Sequence, residues 1–414
     1  MYEQKKIAII GGGAAGMMAA IYGILGGASV TLFEKNDRLG KKISITGKGR
    51  CNVTNDCDTQ EFLKNVISNP KFLYASIGNF NTEDTKAFFE NAGVPLKTER
   101  GRRVFPVSDN AHDIVNALKK TLYDYGVTVK NEKVLEIFTN GGTVTGLKTS
   151  RAEYSFDAVI VATGGASYTG TGSDGDGYRF AKALGHEIVS LVPSLVPVET
   201  VEDVSEIMGL SLKNVTLKIR NNENGKIVFE EMGEMLFTHF GMSGPLVLSA
   251  SCHMKNMSRA KYTALIDFKP ALDRQTLDNR VLSDFSKQLN RDFANSLGGL
   301  LPAKIIPYIV KKTGIAPSTK VNAITKEARA RLVDTLKSLS IDIKGFRPLN
   351  EAIVTQGGVK TSEINPSTME SKIVKGLYFA GEVIDVDAYT GGYNLQIAFS
   401  TGALAGKSAA ESGT

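Results

Sequence analysis

The chain has 414 residues, of which 42% are hydrophobic and 22% charged, so it has the composition of a globular protein with two or three domains. No apolar run reaches the ~18 residues of a membrane-spanning helix, so we expect no membrane partner. The three cysteines, Cys51, Cys57 and Cys252, contain no CxxC pair and provide no disulfide framework. A reducing, cytoplasmic location fits them best, and we predict no metal site.

The net charge of +6 is concentrated in one segment of the chain. Residues 251–350 carry 18 Lys and Arg against 8 Asp and Glu, whereas residues 191–250 carry 4 against 8. The remaining residues are balanced, at 27 against 27. The basic segment is either a solvated helical surface or a binding surface for an anionic macromolecule such as RNA.

Residues 6–34 predict a nucleotide-binding βαβ unit. An apolar strand over 7–10 stops at a glycine turn, helix formers follow over 14–25, and a second strand over 29–33 ends in Glu34. Glu34 lies 23 residues after the first glycine of the spacing, where a carboxylate can accept from a ribose hydroxyl. That acid favours FAD or NAD over NADP, whose ribose carries a phosphate.

The glycines of this turn follow the spacing Gly11-x-Gly13-x-x-Gly16, and each has a physical reason. Gly11 makes the tight turn, Gly13 lets a pyrophosphate approach the backbone, and Gly16 lets helix and strand pack closely. The helix N-terminus offers free N–H groups and the positive end of its dipole to the phosphates. The turn therefore predicts dinucleotide binding.

A second glycine-rich stretch, SITGKGRCNVTN at 44–55, has the composition of a loop. Its backbone N–H groups, Lys48 and Arg50 can face an anion or the edge of a flavin ring, and the alternative is an exposed basic loop. Cys51 invites a redox role. However, five residues separate it from Cys57, whereas flavin disulfide reductases use a pair separated by four, so a redox dithiol is disfavoured.

Residues 60–125 predict helices, interrupted by GRRVFP at 101–106, whose arginines can reach a cofactor or substrate or form a surface turn. Short alternating strands over 127–161 then predict a β-meander that feeds a buried strand ending in ATGG. This order is typical of FAD-binding Rossmann domains of the glutathione reductase type. A later literal GxGxxG at 170–175 has no strand directly before it and no acid-ended strand after it. We interpret it as a loop that caps a helix starting near Asp176.

Pro193 and Pro197 mark a domain boundary. Strand-like runs over 195–250 predict a small β-domain, and its turn FTHFGMSGP contains a lone His239, a residue more often structural than substrate-facing. Helical periodicity over 270–345 predicts three or four short helices. Five basic residues of these helices can share one surface: Lys311, Lys312, Lys326, Arg329 and Arg331.

The last segment returns to strand and glycine. An apolar strand over 376–383 ends in Gly381-Glu382 and leads through Gly391-Gly392 into a C-terminal helix. In the same class of FAD domain, such an acid lies near the ribityl chain and pyrophosphate, and the helix N-terminus points at the flavin pyrimidine edge. That end of the helix dipole stabilises an anionic, reduced flavin.

Together these motifs resemble the aminoacetone-oxidase-like family of FAD-binding proteins, also described as NAD(P)/FAD-dependent oxidoreductases. The motifs that carry the resemblance are GGGAAG (11–16), TGKGRCN (46–52), GRRVFP (101–106), ATGG (162–165), FTHFGMSGP (237–245), TQGGV (355–359) and AGEVIDVDAYTGGYNLQIAFSTG (380–402). One departure is Arg102-Arg103, where a single Arg followed by Val or a similar residue is usual in the family. Which of the two arginines is functional therefore stays open.

The resemblance implies an α/β fold, a split Rossmann-type FAD-binding domain of the glutathione reductase type with an inserted β-domain and a small helical domain. We place the FAD-binding domain at 1–192 and 348–414, the β-domain at 193–268 and the basic helical domain at 269–347. The composition shifts along the chain suggest the same division.

The motifs and the resemblance together predict one set of FAD-binding residues and a second set of substrate contacts. Glu34 would hold the adenosine ribose, the glycine turn the pyrophosphate, and the last five residues of the first set the ribityl–flavin end. The first set is Gly11, Gly13, Ala14, Ala15, Gly16, Glu34, Lys35, Lys42, Thr46, Gly47, Arg50, Asn52, Val134, Ala162, Thr163, Gly164, Gly392, Gly381, Glu382, Asn394, Leu395 and Gln396. The substrate contacts that we would test are Arg50, Arg103 and His239, and no catalytic acid or base is assigned.

The motifs and the family resemblance together suggest three functions. The first is an FAD-dependent oxidoreductase that exchanges hydride between flavin N5 and a small amine or enone held under the β-domain, with NAD(P)H as a candidate transient reductant. The second is an RNA-modifying flavoenzyme that reduces a uridine in ribosomal RNA, with the basic segment as its binding surface. The third is a non-enzymatic flavin-binding redox module. An NAD-only dehydrogenase is disfavoured by the ATGG strand and the Gly-Glu strand.

Overall fold

The computed structural model describes residues 4–412, so residues 1–3 and 413–414, at the ends of the predicted FAD-binding domain, lie outside the described residues. The chain divides into two compact units. The first unit comprises Met1–Ser194 and Leu349–Thr414, and the second unit comprises Leu195–Pro348. Among the described residues, none of the helices has the length and apolarity that crossing a membrane requires.

The described residues form helices and strands joined by turns and short 3-10 segments. The helices are α1 (Ala14–Leu25), α2 (Lys41–Ile45), α3 (Thr59–Lys64), α4 (Tyr74–Asn79), α5 (Thr82–Asn91), α6 (Ala111–Asp124), α7 (Asp176–Ala183), α8 (Pro245–Ser251), α9 (Arg274–Ser286), α10 (Phe293–Ser296), α11 (Ile306–Thr313), α12 (Lys326–Lys337) and α13 (Tyr393–Glu411). The first strands are β1 (Lys6–Ile10), β2 (Ser29–Phe33), β3 (Thr54–Asn55), β4 (Leu96–Glu99), β5 (Arg103–Pro106), β6 (Thr128–Lys130), β7 (Val134–Asn140), β8 (Thr143–Thr149), β9 (Glu153–Ser155) and β10 (Ala158–Val161). The later strands are β11 (Ile188–Ser194), β12 (Val198–Thr200), β13 (Ser211–Asn221), β14 (Ile227–Phe237), β15 (Gly241–Ser243), β16 (Tyr262–Asp267), β17 (Leu339–Phe346), β18 (Val354–Val359) and β19 (Leu377–Phe379).

A parallel five-stranded sheet forms the centre of the first unit, in the order β19-β10-β1-β2-β6. Its central strands are continuous apolar runs because both faces of a parallel sheet are covered, and Ile9 pairs with Ile160 on one side and Leu32 on the other. The carboxyl ends of all parallel strands meet at one edge. This arrangement confirms the predicted Rossmann-type fold, and it brings the glycine turn, Glu34 and Gly381 to the same edge of the sheet.

Helices α1 and α13 pack side by side through small residues. A Cβ atom on Gly402 would overlap the carbonyl oxygen of Ala15, and one on Gly406 would overlap that of Ala19. Because Ala15 faces Gly402 and Ala19 faces Gly406, the two helices run in the same direction. By this register, α13 begins about two turns, or roughly 10 Å, beyond the start of α1. The two helix N-termini are therefore offset along one line at the ligand-binding edge.

Smaller sheets complete the first unit. The meander β7-β8-β9 has the predicted form, and β11 pairs with β18. The prediction for residues 60–125 was incomplete, because GRRVFP does not merely interrupt helices: it forms β5, which pairs with both β3 and β4. Strands of two and four residues give too short a pattern to detect from sequence alone.

The second unit is a closed six-stranded barrel, in the order β12-β15-β14-β13-β16-β17, with helices packed on it. The sequence separated a β-domain (193–268) from a helical domain (269–347), and the structure differs here. Strand β17 follows the helices in sequence and returns to pair with β16 and β12. Leu277 and Leu332 of the helices share one apolar core with Ile341 of β17. The barrel and its helices therefore form one compact unit.

Candidate FAD-binding site

The glycine turn after β1 has the shape of a phosphate site. Gly11 has φ +107°, and a Cβ atom there would lie 2.5 Å from the carbonyl oxygen of Ala162. A Cβ atom on Gly16 would overlap the carbonyl oxygen of Gly11, whereas one on Gly13 would meet no atom within 4 Å. Gly11 and Gly16 are thus required by packing, and Gly13 leaves room for a ligand.

Gly13 is also the N-cap of α1, without a side-chain cap and without an acid in the first helical turn. The first N–H groups of the helix are therefore left for an external acceptor. Ala14 and Ala15, the first residues of α1, are buried. A pyrophosphate fits this end of the helix in both charge and space.

Glu34 is fixed beside the glycine turn. Its Oε2 accepts from the N–H of Gly12 at 2.8 Å, and its Oε1 accepts from the N–H and Nδ2 of Asn36 at 2.8 and 2.7 Å. A carboxylate has about four acceptor positions, so one remains for a ribose hydroxyl. The predicted role of Glu34 is compatible with this geometry.

Lys35 follows Glu34, and two carboxylates neutralise its charge. Its ammonium group pairs with Asp174 at 2.6 Å and Asp176 at 3.0 Å, both in or next to the loop that mimics a second GxGxxG. Desolvation alone would lower the pKa of Lys35, but the two carboxylates outweigh it and raise that pKa. The loop precedes α7, which begins at Asp176 as predicted.

The strand ending in ATGG contributes backbone atoms, more than side chains, to the surroundings of the glycine turn. The backbone of Ala162 and Thr163 borders Gly11, whereas Gly164, at φ +75°, lies against Ser173. The hydroxyl of Thr163 is buried and has no hydrogen-bond partner among the described residues. It lies against Gly177 of α7 and not toward the turn. Val134, the predicted contact from the meander, is the buried first residue of β7.

Lys42 and Glu382 form a pair that joins distant segments of the first unit. Lys42 Nζ lies 2.6 Å from Glu382 Oε2 and donates to Ser167 Oγ at 2.8 Å. Glu382 Oε1 accepts from Ser167 Oγ at 3.0 Å and from the N–H of Thr355 at 2.9 Å. Sequence reasoning found Lys42 and Glu382 but missed Ser167 and Thr355, which hold the carboxylate in place.

The N-terminus of α13 is open. Gly391 and Gly392 have φ +125° and +97°, no side chain caps the helix, and its first turn contains no acid. A Cβ atom on Gly392 would overlap the carbonyl oxygen of Thr54, so only glycine fits this N-cap. The free N–H groups of a 19-residue helix therefore face outward from the end of this element.

The polar side chains in the first turns of α13 form hydrogen bonds with other residues of the protein. Asn394 accepts from the N–H of Ala388 at 3.0 Å and donates to its carbonyl oxygen at 2.8 Å. Gln396 is buried and accepts from the hydroxyls of Thr54 and Thr85 at 2.6 and 2.8 Å. Leu395 is partly buried. Contacts of Asn394 and Gln396 with a flavin would therefore use the backbone.

The TGKGRCN loop bends through successive left-handed residues. Gly47, Lys48 and Cys51 have φ between +56° and +60°, and the N–H of Cys51 donates to the carbonyl oxygen of Thr46 at 3.0 Å. Non-glycine residues in this region are strained by about 1–3 kcal/mol each and cluster at functional sites. Asn52 ties the loop to α13, because its amide oxygen faces the N–H of Gly392 at 2.9 Å.

Two of the three predicted substrate contacts, Arg50 and Arg103, lie beside the same aromatic ring, that of Phe105. Arg50 pairs with Asp109 at 2.6 Å and with Glu99, and its guanidinium lies 4.1 Å from the ring centre of Phe105. Arg103 lies 5.8 Å from the same ring and is exposed. Two carboxylates thus occupy Arg50, whereas Arg103 has no ion pair among residues 4–412.

His239, the third predicted substrate contact, belongs to the second unit. It is exposed in the turn between β14 and β15, with its ring centre 5.0 Å from that of Phe240. The assignment of Arg50, Arg103 and His239 to a substrate stays a prediction.

The cysteines are expected to be chemically inert in the native protein. All three cysteines carry buried thiols, and burial raises the pKa of Cys51 to about 12 and that of Cys57 to about 11. Because the thiolate is the reactive form, we expect less than about 5% alkylation of the native protein by iodoacetamide at pH 8, and complete alkylation after unfolding. Mass spectrometry measures both. Rapid labelling of native Cys51 and Cys57 would reopen the dithiol hypothesis.

The chain matches the family model described as HI0933-like protein Rossmann domain over residues 5–408. It is 31% identical to the 3-dehydro-bile acid delta(4,6)-reductase of Clostridium scindens, over 98% of this chain and 99% of that protein. It is also 31% identical to the ribosomal RNA dihydrouridine synthase of Haemophilus influenzae, over 97% of each.

A solved structure shares the fold at low sequence identity. The 3-ketosteroid delta1-dehydrogenase from Sterolibacterium denitrificans superposes with a TM-score of 0.51 at 15% identity, over 99% of this chain and 100% of that one. The prediction of an FAD-dependent oxidoreductase is confirmed, which sets aside the non-enzymatic module, whereas the aminoacetone-oxidase-like specificity stays a prediction. The chain therefore belongs to the HI0933-like Rossmann-domain family and is an FAD-dependent oxidoreductase.

Proposed function

We propose that this enzyme reduces a carbon–carbon double bond conjugated to a carbonyl group, with a nicotinamide nucleotide as electron donor. The names of two relatives support this class of reaction. A delta(4,6)-reductase of a 3-dehydro-bile acid and a dihydrouridine synthase both saturate a double bond in a ring that carries a carbonyl group. The two substrates differ greatly in size, so the shared element is the conjugated bond.

The observation that carries the proposal is the open N-terminus of α13. Bound FAD supplies hydride transfer at N5. Gly392 caps α13 without a side chain, and the first turn contains no acid, so the positive end of the helix dipole is not neutralised by a side chain of these residues. A partial positive charge of about half a unit there stabilises negative charge on a reduced ring, which is the hydride-donating form.

Other residues of the first unit position the cofactor. The glycine turn and the uncapped α1 would hold the pyrophosphate, and Glu34 would take the adenosine ribose. Lys42 fixes the carboxylate of Glu382. In the net reaction, a hydride from the donor reaches the substrate carbon beta to the carbonyl, and a proton from solvent is added at the alpha carbon. The donor is thereby oxidised and the double bond reduced.

The experiment is anaerobic turnover of the purified holoenzyme. NADH and NADPH are each supplied with a 4-en-3-one steroid, with uridine-containing ribosomal RNA and with aminoacetone. We expect saturated product, identified by mass spectrometry as a gain of two hydrogens, from at least one of the first two substrates. A parallel aerobic assay supplies aminoacetone with oxygen as acceptor and omits the nicotinamide. Oxidation of aminoacetone there, together with no product from either conjugated substrate in the anaerobic assay, would contradict the proposal.

A second candidate, reduction of a uridine in ribosomal RNA, is favoured by the basic helices of the second unit. Lys311, Lys326 and Arg331 are exposed and without an ion pair among residues 4–412. Lys312 instead lies 3.5 Å from Glu202, and Arg329 pairs with Asp278 at 2.6 Å. Only part of the predicted basic surface is therefore available to RNA.

The exposed lysines without an ion pair are the residues to change in an RNA-capture experiment. Lys311→Glu with Lys326→Glu reverses two unpaired charges, and Lys226→Glu, on the exposed β13–β14 turn, is the matched control. If RNA is the substrate, the double variant should lose at least about tenfold in RNA affinity at low salt, while the control changes little. Equal RNA capture by the wild type and both variants would show that these helices are a solvated surface.

A further inference from the structure

We propose that the turn Arg100–Arg103, between β4 and β5, is the docking site for the phosphate of a nucleotide whose ring reacts at the flavin. The inference rests on the proposed function, because both the nicotinamide donor and a uridine in RNA carry the reacting ring on a ribose phosphate. The shared ligand chemistry is thus a nucleotide phosphate, from the donor or from the substrate.

The arginines of this turn differ from the other cations around them. Arg100, Arg102 and Arg103 are all exposed, and none forms an ion pair with any residue in the 4–412 range. The neighbouring cations are neutralised, since Lys86 lies 2.5 Å from Asp56 and Lys97 lies 2.7 Å from Asp109. The charge of Arg102 does act on Asp56, but that carboxylate is already paired with Lys86. Three adjacent guanidinium groups without an ion pair in the described part of the chain therefore leave a local excess of positive charge.

The turn is held against the start of α13. Asn55 is 2% exposed, and its Nδ2 donates to the carbonyl oxygens of Gly101 at 3.1 Å and Gly391 at 3.0 Å. Arg102 is also anchored, because its carbonyl oxygen accepts from the N–H of Asp56 at 2.7 Å. One buried amide therefore connects the arginine turn to the glycines that precede the flavin-facing helix end.

The charge of Arg102 reaches the first residue of that helix. Burial raises the pKa of the Tyr393 hydroxyl to about 12, and the nearby Arg102 guanidinium acts against this shift. Arg103 is directed differently, toward Phe105, and its Nε donates to the carbonyl oxygen of Arg100 at 3.0 Å. Of the two consecutive arginines, Arg102 is the one whose charge acts on the Tyr393 hydroxyl.

The exposure of the turn argues for a phosphate. One exposed ion pair between an arginine and a carboxylate contributes only about 0–1 kcal/mol to binding, which is too little to position a small carboxylic acid. Guanidinium groups bind phosphate oxygens in a bidentate manner, and several of them on one turn can share a phosphate or contact successive phosphates. A nucleotide bound here would place its phosphate on the turn and its ring beside the start of α13.

The test measures binding, not turnover, so that it can fail independently of the proposed reaction. Arg100→Gln is combined with Arg102→Asn, because Asn tolerates the left-handed backbone of Arg102 at φ +55°. Arg151→Gln, an exposed arginine in the β8–β9 turn of the same unit, is the matched control. The FAD content of each protein is measured first, and it should be unchanged in all three.

The probes are NAD⁺ and NADP⁺, titrated into oxidised holoenzyme by calorimetry, and a fluorescein-labelled oligouridylate, followed by anisotropy. We expect the double variant to raise the Kd of at least one probe about tenfold and to weaken its salt dependence, with no change in the control. An effect on the dinucleotides alone assigns the turn to the donor, and one on the oligonucleotide alone assigns it to the substrate. Kd values within about twofold of wild type for every probe, or no binding of any probe by the wild type, would overturn the proposal.

Discussion

A Gly13→Asp variant is expected to fold normally as apoprotein and to lose FAD. Gly13 has φ −85°, and a Cβ atom there meets nothing within 4 Å, so an aspartate fits without strain. At the N-cap of α1 its carboxylate accepts from the first N–H groups of the helix, the same groups that a pyrophosphate needs. It also places a negative charge beside two phosphates. We expect the Kd for FAD to rise at least about 100-fold, or about 2.7 kcal/mol.

Gly13→Ser separates the two causes of this loss. Serine caps the same N–H groups without adding a charge, so we expect a smaller rise in Kd, of about tenfold. Deflavinated proteins are titrated with FAD by flavin fluorescence, and apoprotein melting is recorded in parallel. The apoprotein of Gly13→Asp should melt at or above the wild-type temperature, because a capped helix is more stable. A Gly13→Asp protein that keeps the wild-type FAD affinity would place the pyrophosphate elsewhere.

The sequence could predict those parts of the site whose geometry depends on residues that are neighbours along the chain. A strand, a glycine turn and a helix follow one another within residues 6–25, so the pattern determines which N–H groups are free. Gly392 could be predicted for a similar reason, because a glycine pair directly before a long helix indicates an open N-cap. These predictions concern the backbone, whose course depends on neighbours in sequence.

The parts that sequence could not predict depend on contacts between distant residues. Glu382 meets Lys42 across 340 positions, and Asn55 meets Gly391 across 336. A motif shows that a polar residue is near a site, but not whether the protein already occupies its hydrogen-bonding groups. Gln396 stands in a motif and yet is buried against Thr54.

Arg50 shows that the sequence also does not reveal which charged side chains are already paired within the protein. In sequence it is a basic residue in a glycine-rich loop, which suits an anion or a flavin edge. Its two carboxylate partners come from β4 and from the region before α6, 49 and 59 positions away. Only the fold shows that Arg102 and Arg103, which the sequence left open between a functional and a surface role, have no ion pair among residues 4–412.

A Gly402→Ala variant is expected to destabilise the first unit despite the higher helix propensity of alanine. Its Cβ atom would overlap the carbonyl oxygen of Ala15 in α1, and neither backbone can turn away as a flexible side chain could. Helix α1 is held at its start by the glycine turn, where Gly16 already packs on Gly11. We expect a net loss of about 2 kcal/mol or more in the free energy of unfolding, from overpacking of this kind.

Gly78→Ala provides the matched control, because Gly78 lies in α4 and its added Cβ atom meets nothing within 4 Å. There the substitution should stabilise by about 0.5–1 kcal/mol, the propensity difference alone. Urea unfolding of the deflavinated proteins compares the two. Since the contact also sets how far α13 extends beyond α1, Gly402→Ala should weaken FAD binding as well, and Gly78→Ala should not. Equal stability of the two variants would mean that the helices can separate without cost, and the offset of their N-termini would then be adjustable.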